Sequence, residues 1–147
     1  MIKAIIEMPK GTKYKYEYDY STGLLKLDRT LEIEIPYNYG YITNTLAEDG
    51  DALDVFVVSI DPIMPLAMLD IELVGVLKCT DNGTVDNKVI AFIKDDWTTK
   101  VAWGNLNPEE KIRFYLKNYK QGFVVHDYCD IIEAQKTIEE CKNRIQK

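Results

Sequence analysis

Histidine is nearly missing from this chain of 147 residues, where His126 stands alone. That removes histidine-rich zinc sites, and no serine, cysteine or histidine arrangement suggests a side-chain nucleophile. Cysteine is scarce as well. Cys79, Cys129 and Cys141 are odd in number, far apart and without a CxxC pair. Neither a zinc knuckle nor a dithiol redox centre follows from them, and three reduced thiols in a cytoplasmic protein are expected. No apolar run approaches the length of a membrane span. The short apolar stretch within Met1 to Pro9 is broken by Glu7, which speaks against a secretion signal. Positive charge is in deficit, with 18 Lys and Arg against 24 Asp and Glu and a net charge of −6. Such a field opposes binding to nucleic acid or to an anionic membrane face. It leaves room for an anionic substrate, because bound metal ions reverse the sign of a cleft.

Repeats, low-complexity tracts and linkers are also absent, so residues 1–147 are expected to form a single domain. What the chain has is a hydrophobic content of 46%, enough for a core, and ten tyrosines. Tyr14, Tyr16, Tyr18 and Tyr20 alternate with Lys13, Lys15, Glu17 and Asp19, the period of a strand with an aromatic and a charged face. Ser21, Thr22 and Gly23 turn the chain into a short strand, Leu24 to Leu27. Further strands are predicted at Ile2–Ile6, Val55–Ser59, Ile71–Cys79 and Lys88–Ile93, with a turn at Asp81, Asn82 and Gly83. Short strands with this punctuation suggest a small closed or nearly closed barrel.

Two helices are predicted after the strands. Asn107 has the position to cap the first, with Pro108 in its first turn and Glu110 completing a capping box. Ile112, Tyr115, Leu116 and Tyr119 share its apolar face, and Gly122 stops it. Asp130 and Glu133 have capping-box spacing at the start of the second, whose apolar stripe is Ile131, Ala134, Ile138, Cys141 and Ile145.

The segment Asp49-Gly50-Asp51-Ala52-Leu53-Asp54 holds three carboxylates in six residues, directly before an apolar strand. It is not an EF-hand loop, which needs glycine sixth and glutamate twelfth, where this chain has Asp54 and Ile60. A second acidic element, Asp81 with Asp86, precedes Lys88.

In chain order stand Glu7 with Pro9, Lys15-Tyr16-Glu17, Asp28-Arg29 and Pro36-Tyr37-Asn38-Tyr39-Gly40-Tyr41. The acidic loop, Gly75-Val76-Leu77-Lys78, Asp81 through Lys88, and Tyr119-Lys120 follow. This set resembles the family I soluble inorganic pyrophosphatases. The resemblance implies a mainly β fold (α+β), a five-stranded OB-like barrel with flanking helices, two of them C-terminal. It implies hydrolysis of inorganic diphosphate to two orthophosphates with several magnesium ions, manganese being an alternative. It places Asp49, Asp54, Asp81, Asp86, Glu7 and Glu17 as metal ligands or cleft acids and Asp51 as general base. Lys15, Arg29, Tyr39, Lys88, Tyr119 and Lys120 would grip the phosphates. A homo-oligomer, hexamer or dimer, follows by the same resemblance.

Electrostatics agrees. Gathered round one cavity, these seven acids would face only four cations, Lys15, Arg29, Lys88 and Lys120. Two like charges ~4 Å apart repel by about 4 kcal/mol at an effective dielectric near 20. Hard dications relieve that conflict, and all-oxygen ligands favour magnesium. The pattern departs from the family at Ile35, where tyrosine is usual, and the segment from Arg29 to Pro36 is about two residues short. Asn82 and Ala52 replace a frequent acid and a frequent proline. These departures leave as rival a relative that binds metal or a phosphorylated ligand without turnover. A barrel binding single-stranded nucleic acid and a calcium module fit the charge and the loop less well.

Overall fold

In the computed structural model, which describes residues 1–145, eight strands precede the first helix. They are β1 (Lys3–Met8), β2 (Tyr14–Asp19), β3 (Leu24–Thr30), β4 (Asn38–Ile42), β5 (Asp54–Val58), β6 (Met68–Asp81), β7 (Thr84–Val85) and β8 (Lys88–Ile93). Two short helices, α1 (Trp97–Val101) and α2 (Trp103–Leu106), lead to α3 (Pro108–Lys117). A last strand, β9 (Phe123–Cys129), enters the final helix, α4 (Ile131–Ile145).

Five strands close a ring: β1 pairs β4, β4 pairs β5, β5 pairs β8, β8 pairs β6, and β6 returns to β1. Every pairing in it is antiparallel except β5 with β8. β6 reaches so many partners because it is 14 residues long and changes register twice. Each such irregularity bends a strand and increases its twist. The hairpin of β2 and β3 is a separate two-stranded sheet beside the ring.

Alternation along the ring strands divides the interior in two. Ala4 and Ile6, Ile42, Val55 and Val57, Ile71, Leu73 and Val76, with Val89 and Ala91, form one buried cluster fed by all five strands. Ala134, Ile138 and Cys141 of α4 join it. The opposite faces, through Met8, Phe56, Val58, Leu77 and Ile90, pack with Ile112, Tyr115 and Leu116 of α3. Full burial of a side chain the size of Ile138 contributes roughly 2 kcal/mol, which fixes both helices on the barrel.

Several expectations are corrected. β4 is a strand beyond those predicted, formed although asparagine and glycine are residue types that strands disfavour. Gly40 is in fact required by proximity: a Cβ there would collide with the backbone of Ile5 on β1. Asn107 does not cap α3 with its side chain. It takes a left-handed conformation (φ 43°) to turn α2 into α3, and its amide nitrogen donates to Glu110 instead. α3 ends at Lys117, so Tyr119 lies beyond the helix and Gly122 plays no part in stopping it. Asp130 caps α4 through the N–H groups of Ile132 and Glu133, while Glu133 reaches Lys78 at 2.9 Å rather than closing a box. At the ends of the α4 stripe, Ile131 and Ile145 are exposed. Among the described residues no helix is long and apolar enough to cross a membrane.

Candidate active site

A cleft of about 520 Å³ opens beside the ring, between the β2–β3 hairpin, the loop leading into β5 and the turn after α3. Each functional side chain gets there by an identifiable local device. Glu7 lies where the pairing of β1 with β4 slips: Ile6 opposes Gly40 and Met8 opposes Tyr39, leaving Glu7 as the extra residue. A bulge of this kind re-aims a side chain that strict alternation would send elsewhere. Glu7 Oε2 then accepts the Tyr18 N–H at 3.0 Å, joining the hairpin to the barrel. Asp54 and Lys88 meet because parallel β5 and β8 pair them in register. Asp81 ends β6 and Asp86 follows β7, so one tight hairpin through Asn82 (φ 49°) and Gly83 (φ 87°) holds both acids. That is the Asn-Gly turn that suits a two-residue hairpin. The Asp49–Asp51 turn is made by Gly50 at φ 91° and by the Asp51 N–H donating to Asp49 Oδ1 at 3.0 Å.

Two centres organise the charge. The buried Lys88 ammonium donates to Asp54 at 2.6 Å, Asp86 at 3.1 Å and the Tyr39 hydroxyl at 2.6 Å. Burial alone would lower its pKa, yet Asp54 and Asp86 hold it above the ordinary lysine value. The Tyr39 phenol is pushed well up by burial and then by Asp54, so it stays protonated and keeps a hydrogen to donate. The second centre is the Tyr119 ring, with Arg29 4.8 Å, Lys15 5.6 Å and Lys120 6.0 Å from its centroid. Lys120 also pairs with Asp81 at 2.6 Å. Lys15 is only loosely held, 3.7 Å from Glu17 and 3.8 Å from Asp28.

Of the residues singled out from the sequence, Glu7, Lys15, Glu17, Tyr39, Asp49, Asp51, Asp54, Asp81, Asp86, Lys88, Tyr119 and Lys120 all line this cleft. Arg29 does not. It lies behind Lys15, its register partner across the hairpin, with Nε buried and unpaired. Tyr16, Tyr18 and Tyr20, from the aromatic face of the predicted strand, also line the cleft, as does Tyr41 of β4. On a two-stranded hairpin outside the ring, Lys15 and Glu17 of one face and Tyr16, Tyr18 and Tyr20 of the other all reach the cleft. Ile35 is buried among apolar neighbours, not on the cleft wall. His126 is exposed, 3.1 Å from the Thr80 hydroxyl, and Trp97 is exposed too, while Trp103 packs on Phe92.

Seven carboxyls and three ammoniums line the cavity. The surplus shows in the acids themselves. Glu7 is pushed up to about 7, first by burial and then by Asp54 and Glu17. Asp86 is pushed up to about 6 by burial and by Asp54, against the pull of Lys88. Burial, followed by Asp54 and Asp51, raises Asp49 also. In kind, these donors suit a hard dication: all are oxygens and all are short of positive charge. Among the described residues, however, no three of them already converge on one point. Lys88 bonds both Asp54 and Asp86, so part of that pair's demand for positive charge is met by the chain itself.

Fold and cleft together define a β-barrel protein with an acid-lined, cation-edged site. A sequence profile described as inorganic pyrophosphatase matches residues 4–146. The chain is 41% identical over 152 residues to the inorganic pyrophosphatase of Halalkalibacterium halodurans, covering 96% of this chain and 93% of that protein. It is 36% identical over 156 residues to soluble inorganic pyrophosphatase 2 of Chlamydomonas reinhardtii, covering 99% and 81%. The crystal structure of inorganic pyrophosphatase from Thermus thermophilus superposes with a TM-score of 0.90 at 30% identity, covering 99% of this chain and 92% of that one. The chain belongs to the inorganic pyrophosphatase family, as a hydrolase that splits inorganic diphosphate.

Proposed function

We propose that diphosphate is hydrolysed in this cleft with magnesium held by Asp49, Asp54, Asp81 and Asp86, Glu7 and Glu17 completing the acid wall. Manganese is the alternative ion. The observation that carries this reading is the excess of seven carboxyls over three ammoniums in one cavity, with Glu7 and Asp86 pushed up to about 7 and about 6. Acids raised by burial, and further by their acidic neighbours, gain most from a dication. Bound magnesium would supply an acidified water and neutralise charge on the leaving phosphate.

The chain's own groups do the rest. Asp51, exposed at the tip of its loop, takes the proton of the attacking water. The Tyr119 centre presents Lys15 and Lys120 to one phosphate, with Arg29 adding charge from behind. Lys88 and the Tyr39 hydroxyl donate to phosphate oxygens from the floor. No side chain needs to form a covalent intermediate. The reading extends to a single domain over residues 1–147 in the cytoplasm, assembled as a homo-oligomer, hexamer or dimer. Phosphate release from diphosphate tests the core of it. Turnover is expected to vanish with a chelator and return with magnesium, whereas turnover that persists in chelator would refute the metal requirement.

A further inference from the structure

The loop that carries Asp49 and Asp51 and leads into Asp54 at the head of β5 is fastened to the last turn of α4. Leu46 is the fastening point. Its N–H donates to the Cys141 carbonyl at 3.0 Å, and its own carbonyl accepts from the Arg144 guanidinium at 2.6 Å. Both backbone polar groups of one residue are therefore held by one helix, with Arg144 98 positions further along the chain. That helix is itself seated in the barrel cluster through Ala134, Ile138 and Cys141.

Beyond Leu46 the loop is closed by its own hydrogen bonds. The Ala47 N–H donates to the Asp51 carbonyl at 2.7 Å, and the Gly50 N–H donates to the Ala47 carbonyl at 3.1 Å. The Leu53 N–H donates to the Thr45 hydroxyl at 3.0 Å. A loop closed in this way moves as one piece, and its tilt toward the cleft is set where it is attached. Asp49 and Asp51 on this loop repel each other and Asp54 at the head of β5, and that like charge pushes the loop outward unless it is restrained. A charge-assisted bond from a guanidinium to a carbonyl is a strong restraint for a partly buried backbone group.

We propose that Arg144 is a positioning residue: by clamping Leu46 it sets the orientation in which the acidic loop faces the cleft, and so raises dication affinity without touching ion or substrate. The inference rests on the reading of this loop as a metal-ligand loop. Outer partners that orient ligands commonly change metal affinity by about tenfold when removed.

The test compares wild-type protein with Arg144→Leu and Arg144→Lys by two readouts. One is amide hydrogen exchange of the metal-free protein, and the other is magnesium binding by titration calorimetry. In Arg144→Leu the amides of residues 46–53 are expected to exchange faster while those of β5 and β8 keep their rates. Magnesium affinity should fall about tenfold, with kcat at saturating magnesium unchanged. Arg144→Lys, which keeps a charged donor, should recover most of both. Should Arg144→Leu fail to fold, Arg144→Gln carries the same comparison. Wild-type magnesium uptake together with unaltered affinity and loop exchange in the variant would overturn this inference alone. Faster exchange spread equally over β5 and β8 would overturn it too, as a general loss of stability. A wild-type protein that takes up no magnesium would overturn the metal reading, and this inference with it.

Discussion

The two walls of the cleft are built differently. The floor, with Tyr39, Asp54 and Lys88, stands on three adjacent ring strands, and Lys88 is only 2% exposed. The opposite wall, with Lys15, Glu17 and Tyr20, stands on a two-stranded hairpin outside the ring, where Tyr20 is 72% exposed. A two-stranded hairpin alone is marginal in water, and this one is tied to β1 by Glu7 accepting the Tyr18 N–H. The floor thus holds its charged groups on backbone fixed by the barrel. The hairpin presents cations and aromatic rings that adjust to what enters.

That contrast can be broken at several points. The largest effect is expected at the loop tip. Asp51→Asn should lower kcat by about 10²- to 10⁴-fold, the usual worth of a general base, with the melting temperature nearly unchanged. Full activity in steady-state assays would remove Asp51 from that role. On the floor, Lys88→Met leaves Asp54 and Asp86 facing each other without their shared cation. Breaking a buried pair in this way costs about 3 kcal/mol or more, to be read from urea unfolding of the metal-free protein, and added magnesium should restore part of it.

The raised acids give the floor a pH signature. Glu7 sits near 7 in the fold against 4.5 when unfolded, and Asp86 near 6 against 3.8. Raised carboxyls favour the fold while protonated, so their contribution is complete below about 4 and is lost as pH rises through 6 and 7. The metal-free protein should therefore melt at a lower temperature at pH 7.5 than at pH 5.5, and magnesium should close the gap. Asp19, Asp70 and Glu133 have lowered values and act in the opposite sense, but within the acid range below their unfolded values. The smallest effect is expected on the hairpin. Lys15→Met should raise KM for diphosphate by about tenfold through loss of a charged contact, with little change in stability. A large fall in melting temperature would mean that the hairpin is as integral as the floor.

The same contrast explains how much was legible in the sequence. Asp54 and Lys88 could be read as neighbours of apolar strands, and Asp81 with Asp86 as the two sides of an Asn-Gly turn, because local chemistry dictates both. Glu7 could be singled out only by resemblance, since a bulge in β1 sends it into the cleft and single-sequence periodicity cannot show a bulge. Tyr18 and Tyr20 reach the cleft because the hairpin stands apart from the ring, which strand periodicity cannot show, and Tyr41 does so from β4, a strand outside those predicted. β9 was missed because Phe123–Cys129 is a strand paired only with β6, with His126 and Asp127 interrupting its alternation. Asn107 looked like a cap, but the tight α2–α3 connection demanded a left-handed residue there. Ile35, a departure from the family pattern, proves to be a core residue, 1% exposed.

Anomalous diffraction from crystals soaked in manganese tests the central claim most directly. The account expects discrete peaks among the carboxylates of Asp49, Asp54, Asp81 and Asp86, with Lys88 displaced from between its two partners. Crystals in which the soak leaves that cleft without a peak, and Lys88 still bridging Asp54 and Asp86, would contradict it.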